Sequence, residues 1–109
     1  MEKQALFDIV DAEREWLEDL SGSIWANPEV ALQEYDSSEK LQDALCEEGF
    51  EVEAGVGGID TAFVARYGEG DPVVGTMGEF DALPGMSQQA DAEREPVEKG
   101  APGHGCGHN

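Results

Sequence analysis

Basic residues are scarce in this chain. Its 109 residues include 6 lysines and arginines against 25 aspartates and glutamates, which gives a formal net charge of -19. Nucleic acid and anionic membranes are therefore disfavoured partners, because binding phosphates requires a basic surface that releases counterions. The acids are spread along the whole chain, which suits a solvated surface, a disordered chain or adaptation to high salt. A hydrophobic content of 39% and periodic segments argue against disorder, and the scarcity of lysine favours the high-salt interpretation.

Cysteine and long apolar runs are also rare. The two cysteines, Cys46 and Cys106, cannot build the disulfide framework of a small secreted domain. No run of about 18 apolar residues exists, so the sequence predicts no membrane span. The first eleven residues carry acids and lack the apolar segment of a signal peptide. Together these features predict a protein of the reducing cytoplasm.

Hydrophobic periodicity predicts two helices in the first half. Apolar residues recur at spacings of three and four from Leu6 to Ile24, and Asn27-Pro28 should end this helix. A second helix is expected from Asp36 or Ser37, with Asp36 and Glu39 as a capping-box-like start. Gly49 is well placed as its C-terminal cap.

After Gly49 the pattern changes to that of strands. Phe50, Val52 and Ala54 alternate with acids, and a turn at 55–58 leads to a strand-forming segment at 61–67. The apolar run 73–77 is typical of a buried central strand. The predicted class is α/β, with two helices followed by about three strands. Residues 85–103 then form a polar loop that is long for a compact domain, which suggests a functional role.

Two carboxylates follow the expected central strand. Asp81 would lie at the carboxyl end of the run 73–77, where open α/β sheets place their ligands. Glu79 shares a face with Asp81 if the chain stays extended, so both could approach one cation or orient its imidazole ligands. In so acidic a chain, a pair of solvated acids is the simpler interpretation of these two residues alone.

The last seven residues concentrate metal-binding side chains. His104, Cys106 and His108 fall within five residues and alternate with glycines. Thiolate and neutral imidazole are strong ligands for zinc and related ions. A flexible glycine-rich terminus with incidental histidines is the competing interpretation, but ligands are rarely grouped so densely.

These two motifs resemble a known family. The first motif is Gly-Glu-Phe-Asp-Ala-Leu-Pro-Gly at 78–85, and the second, after a polar loop, is Gly-His-Gly-Cys-Gly-His-Asn at 103–109. In this order the motifs look like those of the metal-dependent aminoacylase and carboxypeptidase family of amidohydrolases. The resemblance extends to nearly the whole chain through Ile-Trp-Ala-Asn-Pro-Glu at 24–29 and Gly-Phe-Glu-Val at 49–52. Within the family, the p-aminobenzoyl-glutamate hydrolase-like subgroup is the most similar. The resemblance implies that residues 1–109 are the incomplete N-terminal portion of a dinuclear-metal catalytic domain. It also implies a second, smaller domain used to form a homodimer.

The resemblance also implies roles for the site residues. Cys106 and His108 match metal ligands for zinc or manganese, with two ions in a full-length enzyme, and Asp81 matches an acid that supports the metal site. Glu79, His104 and Asn109 are expected to surround the ligands, and Glu79 stands where other branches have a histidine ligand.

The implied reaction is hydrolysis of an amide bond in a small N-acyl amino acid or dipeptide. A metal-bound water attacks the carbonyl while a glutamate accepts its proton. In the family, that glutamate and the remaining ligands follow the second motif, so we expect the present chain to be inactive by itself. Two alternatives remain open at this point: a small acidic metal-binding protein with a C-terminal His/Cys tail, and an acidic interaction module without metal.

Overall fold

The structure is a computed structural model that describes every residue from 1 to 109. It confirms the α/β class with three helices and one two-stranded antiparallel sheet. The elements are α1 (Lys3–Ala12), α2 (Arg14–Trp25), α3 (Tyr35–Glu47), β1 (Glu51–Ala54), a single 3-10 turn (Val56–Gly58) and β2 (Phe63–Arg66). None of the helices combines the length and the apolar character needed to cross a membrane.

The first predicted helix is divided in two. Glu13 separates α1 from α2 with φ −91° and ψ 1°, outside the helical region, where the charged run makes the apolar pattern weakest. The hydrogen-bond ladder nevertheless continues, because Glu13 N donates to Ile9 O and Leu17 N donates to Glu13 O. The end of α2 at Trp25 agrees with the predicted stop at Asn27-Pro28.

The second predicted helix, α3, begins in a different way from the one expected. Its first turn is not capped by a local side chain. Instead the carboxylate of Glu29 accepts hydrogen bonds from Asp36 N at 3.1 Å and from Ser37 N at 2.7 Å, and from the Ser37 hydroxyl at 2.6 Å. A carboxylate in this position satisfies free N–H groups and complements the positive end of the helix dipole. The capping-box prediction for Asp36 and Glu39 was therefore wrong.

The end of α3 is the predicted glycine cap. Gly49 has φ +86°, and its N–H donates to Cys46 O while Phe50 N–H donates to Leu45 O. These two bonds form a Schellman motif, which needs a left-handed residue where glycine is the least strained choice. The reversed chain then enters β1, which pairs antiparallel with β2 from Glu51 opposite Arg66 to Ala54 opposite Phe63.

The third predicted strand is absent. Residues 73–77 have no secondary structure, and the side chains of Val73, Val74 and Met77 are 83–94% exposed. A strand needs a neighbour to accept and donate its backbone hydrogen bonds. Within this chain β1 and β2 pair only with each other, and no segment lies alongside 73–77.

The chain has little apolar core. Ile24 and Ala82 are the only apolar residues that are buried, and most buried residues are polar, namely Glu34, Ser37, Ser38, Thr61 and His104. The radius of gyration is 16.0 Å, whereas a compact domain of this length would have about 13 Å. Buried Ala82 lies on the segment that pairs with Val30, and the next residue, Leu83, pairs with Gly103, so the two sequence motifs meet beside this part of the core.

Candidate metal centre

Two short backbone bridges bring the motifs together. Ala82 N donates to Glu29 O at 2.7 Å, which fixes the first motif beside the segment that leads into α3. Leu83 and Gly103 then exchange both backbone hydrogen bonds at 3.1 Å, as an antiparallel pair does. The second motif therefore starts against the residues that directly follow Asp81.

His108 lies between the two acids of the first motif. Its Nδ1 is 3.1 Å from Asp81 Oδ1 and 3.1 Å from the Asp81 carbonyl oxygen. Its Nε2 is 3.7 Å from Glu79 Oε2. The side chains of Asp81 and His108 are 22% and 30% exposed, whereas that of Glu79 is 70% exposed, so the group opens to solvent on the Glu79 side.

These contacts determine which ring nitrogen of His108 carries the hydrogen. Both partners of Nδ1 are oxygen atoms that only accept, so Nδ1 must donate. In the neutral imidazole the lone pair is then on Nε2, which faces Glu79. A carboxylate that holds one nitrogen while the other stays free is the usual support of a metal-binding histidine.

The donors fit a divalent cation. One ligand atom from each of Glu79, Asp81 and His108 lies within 4.8 Å of the others. Two donors on one tetrahedral ion, each about 2.0 to 2.2 Å from it, stand roughly 3.4 Å apart, and the Nε2 to Glu79 separation of 3.7 Å is close to that value. An imidazole with carboxylate oxygens suits zinc, manganese and similar ions.

The remaining predicted residues lie near this group but outside it. Cys106 is partly buried, has a free thiol and lines a neighbouring cavity. Asn109 is bound to α2, because its amide nitrogen donates to the Ser21 hydroxyl at 2.8 Å and to the Ser21 carbonyl at 3.3 Å. The structure thus brings Glu79, Asp81 and His108 together, and Cys106 is not one of these three donors.

His104 is buried without a polar partner. It is 1% exposed, and neither ring nitrogen makes a hydrogen bond. Burial lowers the pKa of His104 below its ordinary value, the nearby charge of His108 lowers it further, and Asp81 opposes the shift. The fold therefore favours the neutral imidazole.

Glycines allow the second motif to lie close to the start of the polar loop. A Cβ on Gly103 would come within 2.4 Å of Met86 O and Ser87 Cα, and one on Gly105 within 2.9 Å of Met86 O. Gly105 N also donates to Met86 O at 3.1 Å. The glycines around His104 thus dock the motif against the start of the polar loop.

Comparison with known proteins finds relatives along most of the chain. It is 46% identical over 103 residues to one of the subunits of p-aminobenzoyl-glutamate hydrolase from Escherichia coli strain K12, which covers 94% of this chain and 21% of that protein. It is 34% and 33% identical over 97 residues to thermostable carboxypeptidases 2 and 1 of Saccharolobus solfataricus. Each of these two alignments covers 87% of this chain and 24% of the carboxypeptidase. No family model matches the sequence.

Over most of its length the chain is thus similar to members of the amidohydrolase and peptidase family. The predicted resemblance is therefore confirmed. The chain spans about a fifth to a quarter of the length of these relatives.

Sequence reasoning missed two residues that contribute to this site. Glu29 supports it indirectly, since its carbonyl holds Ala82 while its carboxylate caps α3. The Asn-Pro-Glu at 27–29 predicted the end of a helix, but no nearby residue indicated that the glutamate caps the next helix. Ser21, the partner of Asn109, lies 88 residues away from it and carries no sequence signal.

Proposed function

We propose that this chain forms part of the metal centre of a metal-dependent amidohydrolase. The proposed full-length enzyme cleaves amide bonds of N-acyl amino acids or dipeptides of the p-aminobenzoyl-glutamate kind. Residues 1–109 would be the N-terminal portion of its catalytic domain, and the polar loop 85–103 would join the two site motifs. The observation that carries the proposal is the position of His108 between Asp81 and Glu79.

Each residue has a distinct role in this proposal. His108 offers Nε2 to the ion, Glu79 offers a carboxylate oxygen, and Asp81 holds the ring through Nδ1. Cys106 supplies a thiolate as a further donor, as the family resemblance implies, and His104 and Asn109 support the segment that carries the ligands. The ion, zinc or manganese, would lower the pKa of a bound water and polarise the substrate carbonyl.

The chain by itself is expected to be inactive. Glu79 is the single glutamate in the donor group, and in this proposal it binds the ion. Asp81 holds the His108 ring, so neither carboxylate of the group is free to accept the proton of the attacking water, a step that general base catalysis requires. In the full-length enzyme, two ions and a homodimer are proposed. A cytoplasmic location and adaptation to high salt remain proposals that rest on composition.

The two alternatives receive no support. A metal-binding tail would recruit donors from residues 103–109 alone, whereas His108 contacts two acids that precede it by more than 25 residues. An interaction module without metal would have no need to hold one imidazole between two carboxylates.

Calorimetric titration of the 109-residue chain with zinc, carried out in molar potassium chloride, tests the proposal. We expect micromolar affinity in the unmodified chain and its loss when Cys106→Ala and His108→Ala are combined. Cys46→Ala is the matched control, because this exposed cysteine lies on α3 and should leave the affinity unchanged. Absence of binding at millimolar zinc would rule out a metal centre in this chain.

A further inference from the structure

A cavity of about 480 Å³ lies beside the proposed metal centre. Its walls come from the end of α2, the polar loop and the glycine-rich second motif, and they include Trp25, Gln88, Asp91, His104 and Cys106. Sites for small molecules have volumes of roughly 300 to 1,000 Å³. The cavity is thus large enough for part of a substrate.

The chemistry of the walls favours a neutral aromatic group. Trp25 is the only one of the lining residues with a large aromatic side chain of apolar character, and aromatic rings pack well against an indole. None of the ten lining residues is a lysine or arginine, and Asp91 is the only acid among them. A carboxylate would therefore find no positive partner, whereas a ring that carries an amino group could donate a hydrogen bond to Asp91.

The wall formed by the polar loop is already ordered. The Gln88 side chain donates to Gln89 O at 3.0 Å and to Glu93 O at 2.7 Å, and its oxygen accepts from Glu95 N at 3.1 Å. Gln89 N also donates to Glu95 O at 2.8 Å. A wall that is fixed before binding reduces the entropy that a ligand must overcome.

The part of the cavity lining that comes from the second motif is adjacent in the chain to the cation site. Gly105, Cys106 and Gly107 line the cavity, and His108 follows them directly in the chain. The same wall contains His104, whose buried ring nitrogens have no hydrogen-bond partner within the chain. If a group binds in this cavity, the amide attached to it would lie toward His108.

We propose that this cavity binds the aromatic acyl group of the substrate, with the ring against Trp25 and its amino group beside Asp91. The name of the substrate group rests on the proposed amidohydrolase function, but the binding of a neutral aromatic amine does not. This assigns Trp25 a recognition role in place of the packing role that such a residue usually has. It also gives the polar loop a function as one side of a substrate pocket.

Saturation-transfer NMR of the 109-residue chain with 4-aminobenzamide tests the proposal. We expect transfer to the aromatic protons of this neutral probe and weaker binding of cyclohexanecarboxamide, which has no aromatic ring. Trp25→Ala should weaken binding of 4-aminobenzamide by about fivefold or more. Trp16→Ala is the matched control, since Trp16 lies on the same helix but outside the cavity and should leave the affinity unchanged.

A second variant keeps the test decisive if Trp25→Ala does not fold. Asp91→Asn should weaken binding of 4-aminobenzamide but not of benzamide, which lacks the ring amino group. Equal affinity for the aromatic and the saturated amide, or no transfer to either, would overturn the proposal.

Zinc titration of the same samples distinguishes a failure of this proposal from a failure of the proposed metal centre. Zinc binding without binding of 4-aminobenzamide would refute the cavity assignment alone. Binding of 4-aminobenzamide without zinc binding would support the aromatic site and refute the metal centre.

Discussion

At the scale of single residues, the proposed cation site depends on which nitrogen of His108 faces Glu79. The two oxygens of Asp81 near Nδ1 make that nitrogen the donor and leave Nε2 available. The family resemblance predicted that Asp81 in the first motif supports the metal site of the second. It could not predict this orientation, which depends on backbone contacts between residues far apart in the chain.

Removing the charge of Asp81 should weaken cation binding. Asp81→Asn keeps a side-chain oxygen near Nδ1 but removes the carboxylate that orients the ring and raises its basicity. Loss of such support typically costs about 10- to 100-fold in metal affinity. Calorimetric titration with zinc measures the loss. Asp43→Asn, an equal charge change at an exposed position on α3, is the control. Equal affinity of Asp81→Asn and the unmodified chain would show that Asp81 does not support the ligand.

At the scale of elements, the start of α3 depends on one distant carboxylate. Glu29→Ala removes the acceptor for Asp36 N, Ser37 N and the Ser37 hydroxyl. We expect the free energy of unfolding to fall by about 1 to 2 kcal/mol, as when a helix cap is lost. Urea denaturation followed by circular dichroism measures the change.

The opposite end of α3 provides the control for this variant. Glu47→Ala removes an acid from the last turn, where a negative charge opposes the helix dipole, so stability should be unchanged or slightly higher. If the two variants lose equal stability, Glu29 does not act as the cap.

The second motif requires glycine at its contact with the polar loop. Gly103→Ala would place a Cβ 2.4 Å from Met86 O and Ser87 Cα, so the backbone would have to move. We expect a loss of about 1 to 3 kcal/mol in stability, as for other overpacked sites, together with weaker zinc binding. Urea denaturation and calorimetry measure the two effects.

Gly75→Ala is the matched control, because a Cβ at that position meets nothing within 4 Å and φ is not positive. A Gly103→Ala chain as stable as the Gly75→Ala chain would contradict the close contact between motif and loop.

Elements with local signals were predictable from the sequence. The stop after Trp25, the Gly49 cap and the β1–β2 hairpin each follow from residues within a few positions. The strand at 73–77 was not correctly predicted, because an apolar run shows a preference for burial but does not supply a pairing partner. The capping of α3 was also missed, since its carboxylate comes from a residue outside the usual capping positions.

At the scale of the whole molecule, charge and exposed apolar surface both oppose a compact state. At a net charge of -19 the acidic side chains repel one another. The apolar side chains of α1, including Leu6, Ile9 and Val10, are about half exposed. Two buried apolar residues provide little hydrophobic stabilisation. Stability should therefore depend strongly on the solvent.

Salt should promote folding of the chain. Molar salt screens repulsion between the acids, since the Debye length falls to about 3 Å at 1 M. We predict low helix content in dilute buffer and a compact, more helical chain in molar potassium chloride. Circular dichroism and small-angle scattering measure both properties, and equal spectra in the two buffers would contradict adaptation to high salt.

The most direct test of the metal centre is ¹⁵N NMR of the histidine rings during zinc titration. His108 should keep the hydrogen on Nδ1 while the Nε2 resonance shifts on metal binding, and the buried His104 should not bind. Loss of the hydrogen from Nδ1 of His108 on zinc addition, or no change at either of its nitrogens, would contradict a cation site between His108 and Glu79.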